Sequence, residues 1–331
     1  MTIAPSDEPK PLVATEAPGQ EGASVPRRQW KQRCSPSGVH LFDRTTGLNV
    51  LLDEVPVPAS LYSRAPRQVS IALTNRCDLV CAHCYAPKSR DELRYQNVTR
   101  WLSELDASGA LGVGFGGGEP TLYPDFVELC GFAARETRLS VSFTTHGHHI
   151  DEALAEELTG SVHFIRVSMD GVGATYEAIR RRSFRELQGR LTLVGTISRF
   201  GINVVVNERT LPDLDAAAAI AADSGACELL LLPQVPARGQ PGIGAHTLQE
   251  LRCWVETYRG SVRLCINETS ADGFPTCDPL LEERGLRAYA HIDAAGVLKA
   301  TSYHAAGVSI GEVGVLAALD HLAHELAEND A

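Results

Sequence analysis

From residue 68 onward the chain repeats one pattern six times, a short apolar run followed by a longer amphipathic stretch. The apolar runs fall at 68–73, 111–115, 139–144, 162–168, 202–206 and 228–232. The amphipathic stretches fall at 91–108, 123–137, 150–159, 174–200, 212–224 and 247–259. Strands joined through helices run parallel, because only a long crossover returns the chain to the same end of a sheet. The helices then cover the outer face. In such folds ligand chemistry belongs at the carboxyl ends of the strands. The pattern alone leaves two architectures open, a partial barrel and a doubly wound sheet.

With 331 residues there is material for one large α/β domain and a modest appendage. The net charge of −11 argues against nonspecific attraction to nucleic acid or to an anionic membrane. No apolar run approaches the ~18 residues of a membrane-spanning helix, and no signal peptide is evident, so the expected compartment is the cytoplasm. In that reducing setting the nine cysteines read as metal ligands and free thiols. Residues 1–32, rich in Pro, Glu, Ala and Gly, read as a disordered leader. Residues 33–66 hold a hairpin signal around Asp43–Gly47. That hairpin would cover a barrel end or a sheet edge, or take a peptide by strand addition, with simple packing the plainer choice. Residues 67–240 form the repeating core, and 241–331 a helix and a small cap. In the cap a strand-like Leu286–Ile292, a turn at Asp293–Gly296 and Val297–Tyr303 precede a helix from Glu312 to about Glu328.

Directly after the first apolar run come Cys77, Cys81 and Cys84, spaced C-x3-C-x2-C. Thiolates are the usual ligands of iron–sulfur clusters. Three local thiolates would leave one iron of a four-iron cluster open to a small molecule. Zinc is the competing metal, but it wants a fourth ligand in tetrahedral reach, and only His83 stands nearby. The second run ends in Gly116-Gly117-Gly118-Glu119-Pro120, where consecutive glycines let the backbone approach a ligand closely. Cys253, mid-helix, reads as core, as do Cys130 and Cys227.

Taken in order, these motifs resemble the radical S-adenosylmethionine (SAM) superfamily. Phe143–Gly147 stands where relatives carry Thr-Asn-Gly, with His146 in place of the Asn. The run Ser168-Met169-Asp170-Gly171, then Ile179-Arg180 and Ser183-Phe184, resembles the peptide-maturase branch that carries an appended SPASM or twitch domain. Leu231–Gly239 resembles the family's closing strand and loop. The resemblance covers roughly 68–240 and implies an α/β fold: a partial (β/α)6 barrel with the N-terminal hairpin and the C-terminal hairpin-plus-helix cap.

It also implies the site. Cys77, Cys81 and Cys84 would hold a [4Fe-4S] cluster. Gly117, Gly118, Glu119 and Pro120 would receive the SAM amino group, while Ser168 and Arg180 contact SAM, with Thr145 and Asp170 beside them. His83 and Tyr85 would pack near the adenine, and Leu232 would meet it from the last strand. An Arg suits a carboxylate through paired hydrogen bonds, whereas Arg181 and Arg182 read as a solvated helix face. The cluster of His146, His148 and His149 would face the site, where it could hold substrate or shuttle a proton. The appended domain is degenerate. Cys277 matches its first cysteine, but Thr301 fills the place of a later one and no cysteine follows Cys277. An auxiliary cluster would need Cys265 and Cys277 with His291, His304 or an Asp, so a metal-free cap is the simpler expectation.

The implied activity is reductive cleavage of SAM to a 5′-deoxyadenosyl radical that removes a substrate hydrogen atom. The implied substrate is a ribosomally made peptide, crosslinked or epimerised. The alternatives are a sugar or nucleoside dehydrogenase, dehydratase or epimerase of antibiotic biosynthesis, and a non-catalytic iron–sulfur scaffold. Flavodoxin or ferredoxin would supply electrons, and Cys265 or Cys277 could return a hydrogen atom to the substrate.

Overall fold

The computed structural model describes residues 30–277, 280 and 282–329. Three antiparallel strands open the described chain: β1 (Trp30–Ser35), β2 (Gly38–Asp43) and β3 (Leu48–Leu52). The expected leader, 1–32, lies outside the described residues except for its end, where Trp30, Lys31 and Gln32 already belong to β1. The expected hairpin is β2 and β3, turning where Gly47 has φ +72°.

The six repeats give β4 (Gln68–Thr74), α1 (Tyr95–Ala107), β5 (Gly112–Gly117), α2 (Phe126–Glu136), β6 (Ser140–Thr145) and α3 (Glu152–Leu158). They continue with β7 (Phe164–Ser168), α4 (Ala174–Arg180), α5 (Phe184–Ile197), β8 (Phe200–Val206), α6 (Leu214–Asp223), β9 (Glu228–Pro233) and α7 (Ala245–Thr257). The remaining elements are β10 (Arg263–Ile266), β11 (Tyr289–Ile292), β12 (Val297–Lys299), β13 (Val308–Ser309) and α8 (Val315–Asn329).

Strands β4 to β9 lie side by side in chain order, all parallel, as a partial barrel requires. Both edges are extended by the C-terminal third. β10 adds in parallel to β9, and β11 adds in parallel to β4 before β12 and β13 turn back antiparallel. That third of the chain therefore completes the barrel sheet as well as capping it.

Two stretches read as one helix each depart from that reading. Residues 91–93 stay extended, with Leu93 N–H donating to Leu73 O at 2.9 Å and Asn75 N–H to Asp91 O at 2.9 Å. The stretch 174–200 breaks at Arg181, which takes a left-handed φ of 58° and ends α4. Ser183 then caps α5, its hydroxyl accepting from Glu186 N–H at 3.3 Å. Ser183-x-x-Glu186 has the sequence signature of a capping box, and the Ser183 half of it is formed.

The sheet's two faces differ. Val69, Ile71, Val113, Phe115, Ile165 and Leu229 point outward into the helices and are fully buried. Their neighbours on the inner face, among them Ser70, Gly114, Gly116, Ser142, Thr144 and Ser168, are small or polar and half-buried. Parallel strands packed on both faces read as continuous hydrophobic runs. The alternation here leaves the inner face a lined cleft.

The three-stranded sheet closes the amino end of the barrel. Arg33 donates to Ala65 O (2.7 Å), Gly109 O (3.0 Å) and Arg287 O (3.0 Å), and pairs with buried Glu283 at 2.7 Å. Arg44 donates to Ala134 O and Thr137 O at 2.8 Å and to Leu139 O at 3.1 Å. These carbonyls lie at the C-terminus of α2 and just ahead of β4, β5, β6 and β11, where cationic donors complete unpaired backbone groups. The carboxyl end, with the cysteines, stays free of this sheet.

Candidate metal and cofactor site

Cys77, Cys81 and Cys84 lie on the loop leaving β4, and all three are free thiols. Cys81 is buried and the other two half-buried. Burial pushes the Cys77 and Cys81 thiols upward, a penalty that a bound cationic metal reverses by deprotonating its ligands.

The Gly-Gly-Glu-Pro loop is fastened against this cysteine loop. Gly118 N–H donates to Thr74 O at 2.7 Å and Glu119 N–H to Arg76 O at 2.8 Å. A Cβ on Gly117 (φ +115°) would stand 2.3 Å from Thr74 O, and one on Gly118 2.1 Å from Arg76 O. Both glycines therefore allow loop-to-loop contact, a use that the expectation of ligand approach did not include. Gly116 has open space instead, with nothing within 4 Å of its Cβ position, and it faces the cleft. The sequence reading grouped Gly116 with its two neighbours, because only the register separates their uses.

Glu119 is buried and its carboxylate is fully engaged. Oε1 accepts from Thr145 Oγ1 (2.8 Å), Thr121 Oγ1 (2.8 Å) and Thr121 N–H (3.3 Å), and Oε2 accepts from His146 N–H (3.0 Å). Pro120 opens the short turn that follows and is buried. Glu119 and Thr145 thus brace the loop from below.

His146 links the same loop to the cysteines. Its Nε2 lies 2.9 Å from Asp78 Oδ1 and 3.3 Å from Glu119 Oε2. Asp78 also meets His149 Nε2 at 3.3 Å and Arg182 Nη2 at 2.5 Å. Burial opposes its charge, but His146 and His149 outweigh that and hold its carboxyl down at about 2. Arg181 and Arg182 are both exposed, as a solvated face would have it, but Arg182 also ties the cysteine loop through Asp78. His148 turns away to hydrogen-bond Tyr176 Oη at 2.8 Å, and burial with His146 nearby lowers it to about 4.

At the end of β7, buried Asp170 gathers the other expected contacts. Arg180 Nη2 pairs with its Oδ2, His83 Nε2 lies 2.9 Å from the same oxygen, and Val205 N–H donates to Oδ1 at 2.8 Å. His83 is thereby turned to Asp170. Arg180, raised in pKa by Asp170 against its burial, keeps a buried Nε that has no partner among the described residues. Ser168 and Leu232 lie half-buried on the inner face. Tyr85 packs on Tyr303 of the cap with ring centroids 5.2 Å apart.

The two candidate hydrogen donors separate. Cys265 is half-buried on β10, in register with inner-face Leu230, and its thiol lies 3.4 Å from Glu228 Oε2. Glu228 is held by Arg166 and Arg263, each at 2.5 Å. Cys277 is exposed on the following loop. The other ligands considered for an auxiliary cluster are engaged elsewhere: His291 Nδ1 with Ser70 Oγ at 2.6 Å, and His304 Nδ1 with Thr301 Oγ1 at 2.8 Å. Cys253 is exposed rather than core, because the buried side of α7 runs through Thr247 and Leu251. Cys130 is buried as expected, while Cys227 is half-buried.

The residues present fit the implied groups. Three free thiols on one loop suit a cluster with an open coordination position. The unfilled space at Gly116 and the orphaned Arg180 Nε suit a small molecule that carries a carboxylate. Residues 71–213 match the family model "Radical SAM superfamily". They are a radical SAM domain. Over 172 residues the chain is 33% identical to mycofactocin maturase MftC of Mycolicibacterium smegmatis, covering 49% of this chain and 43% of that protein. Over 175 residues it is 29% identical to Fe-coproporphyrin III synthase of Methanosarcina barkeri, covering 50% and 44%. These matches span less than half of each relative's length. In fold, the chain is similar to Streptococcus suis SuiB bound to precursor peptide SuiA, with TM-score 0.70 at 13% identity, covering 88% of this chain and 87% of that one. No helix among the described residues is long and apolar enough to cross a membrane.

Proposed function

We propose that this protein cleaves SAM reductively and directs the radical at a C–H bond of a ribosomally made peptide. The observation that carries the reading is a convergence at the carboxyl ends of the strands. The three free thiols follow β4, the open space at Gly116 lies near the end of β5, and Arg180, with its unpartnered Nε, pairs with Asp170 just past the end of β7. When bound, a [4Fe-4S] cluster on Cys77, Cys81 and Cys84 and its SAM would supply the electron transfer and the hydrogen-abstracting carbon radical.

The chain's own residues bind and orient. Arg180, fixed by Asp170, offers its remaining donors to a carboxylate, and Ser168 adds a hydroxyl on the same side. Gly116 leaves room for the cofactor against the sheet. Arg166 and Glu228 present a paired charge deeper in the cleft, suited to holding polar backbone of a substrate in register with the radical. Cys265 is the better placed hydrogen donor for an epimerisation, since it is half-buried in register with inner-face Leu230, whereas Cys277 is exposed.

The similarity to a mycofactocin maturase supports the peptide reading, and the similarity to Fe-coproporphyrin III synthase supports a second one, a small-molecule substrate. Reduced flavodoxin or ferredoxin is the proposed electron donor. The test is anaerobic reconstitution with iron and sulfide, then incubation with SAM and dithionite and detection of 5′-deoxyadenosine by mass spectrometry. Stoichiometric cluster without that product would overturn the enzyme reading and leave the scaffold. Product formation stimulated by a short peptide encoded beside the gene supports the peptide substrate, and stimulation only by a small molecule refutes it.

A further inference from the structure

We propose that His146 is a positioning residue, a latch that holds the cysteine loop against the Gly-Gly-Glu-Pro loop and so retains the cluster; this rests on Cys77, Cys81 and Cys84 being the cluster ligands. The ring is only 3% exposed. The backbone N–H of His148 donates to its Nδ1 at 3.1 Å, so Nδ1 has no proton and Nε2 carries it. That single N–H faces Asp78 Oδ1 at 2.9 Å and Glu119 Oε2 at 3.3 Å, one carboxylate on each loop. Asp78 follows Cys77 directly, and the ligand atoms of Cys77, Asp78 and His146 lie within 4.8 Å of one another.

The other groups facing Asp78 are His149 and Arg182, whose side chains are 35% and 42% exposed. Water weakens the Arg182 tie, and His149 Nε2 makes no hydrogen bond at its 3.3 Å, so the His146 contact is the less exposed of the two hydrogen bonds that Asp78 accepts. Glu119, on the same edge of the ring as Asp78, is immobilised by Thr121, Thr145 and the His146 backbone. The latch therefore runs from a fixed point in the barrel to the residue beside the first cysteine. Both ends of the ring are used, and this sets the test. An asparagine amide reaches only as far as Nδ1, so it would keep the His148 contact and lose Asp78. A glutamine amide reaches as far as Nε2 and would keep Asp78.

Wild type, His146→Gln, His146→Asn, His146→Ala and Asp78→Ala are reconstituted anaerobically. Iron per chain, the electron paramagnetic resonance spectrum of the reduced cluster, and the rate of iron loss to an excess of chelator are then measured. His146→Gln is expected to keep the wild-type spectrum and a loss rate within about twofold, as the retained hydrogen bond implies. His146→Asn, His146→Ala and Asp78→Ala should each lose iron about tenfold faster, a factor corresponding to one charge-assisted hydrogen bond. Asp78→Ala cuts the same tie, along with those to His149 and Arg182, from a partly exposed position, so its retention of iron bears on the latch even where a change at buried His146 unfolds the chain. Wild-type retention in His146→Asn or in Asp78→Ala overturns the proposal. So does rapid loss from a folded His146→Gln protein. A wild-type protein that takes up no cluster overturns the underlying ligand assignment instead, before any variant is compared.

Discussion

Replacing Gly118 with alanine would set a Cβ 2.1 Å from the Arg76 carbonyl oxygen, 2.6 Å from its carbon and 2.8 Å from the Asn75 carbonyl carbon. All three atoms are backbone, so none can swing aside as a side chain would. Relief needs a loop shift of about 1 Å, on ordinary packing distances. That shift strains two hydrogen bonds, Gly118 N–H to Thr74 O and Glu119 N–H to Arg76 O. Each is worth about 1 kcal/mol net. Overpacking adds about 1–3 kcal/mol, so the expected loss is about 3–5 kcal/mol. The comparison is Gly116→Ala, two residues earlier, where the new methyl meets nothing within 4 Å. That variant should match wild type or gain about 0.5 kcal/mol from a less flexible unfolded chain. The assay is urea unfolding of the metal-free protein. At a slope of about 3 kcal/mol per molar, Gly118→Ala should unfold about 1–1.7 M earlier and Gly116→Ala at the wild-type midpoint. In the reconstituted proteins Gly116→Ala should instead bind SAM about tenfold more weakly, because its methyl occupies the cleft. Equal midpoints for Gly118→Ala and wild type would refute the loop-packing argument. Unchanged SAM affinity in Gly116→Ala would refute the assignment of its open space.

Arg33→Met should destabilise the fold by about 3 kcal/mol, because it leaves Glu283 buried without its closest cation, and the loss is read as a lower urea midpoint. His291, held at about 4 by burial, is neutral in the fold, whereas an unfolded histidine titrates near 6.5. Between those values the unfolded chain binds more protons, so stability present above pH 6.5 is lost as pH falls toward 4. Wild type should therefore lose about 2 kcal/mol more than His291→Gln across that window in unfolding measured by circular dichroism. Alanine at Cys77, Cys81 and Cys84 together should bring bound iron to background, and stoichiometric residual iron would show a second cluster elsewhere.

Much of this molecule could be read from the chain. All six strands of the repeating core fall within two residues of their expected bounds, since alternation of apolar runs and amphipathic stretches is a local signal. The cysteine loop and the Gly-Gly-Glu-Pro loop were legible as motifs for the same reason. Readings failed where a distant partner decided the outcome. Residues 91–93 are extended because Leu73 and Asn75 bind them, and the 174–200 helix splits at the left-handed Arg181. Cys253 looked like core because a free cysteine in mid-helix is commonly buried, but helix geometry puts it on the side away from Leu251.

The sequence by itself determined the order of strands and helices, the metal-binding residue types and the end of the sheet where chemistry belongs. Those depend on periodicity and on residue type, which act over a few positions. The tertiary structure decided what each functional group is free to do. It placed β10 and β11 on the two edges of the barrel sheet, engaged the Glu119 carboxylate within the loop, paired Arg180 with Asp170, and brought His146 between Asp78 and Glu119. Each of these is a contact between segments tens of residues apart or more. Its occurrence depends on how strands pair and how loops pack, and no local pattern carries that information.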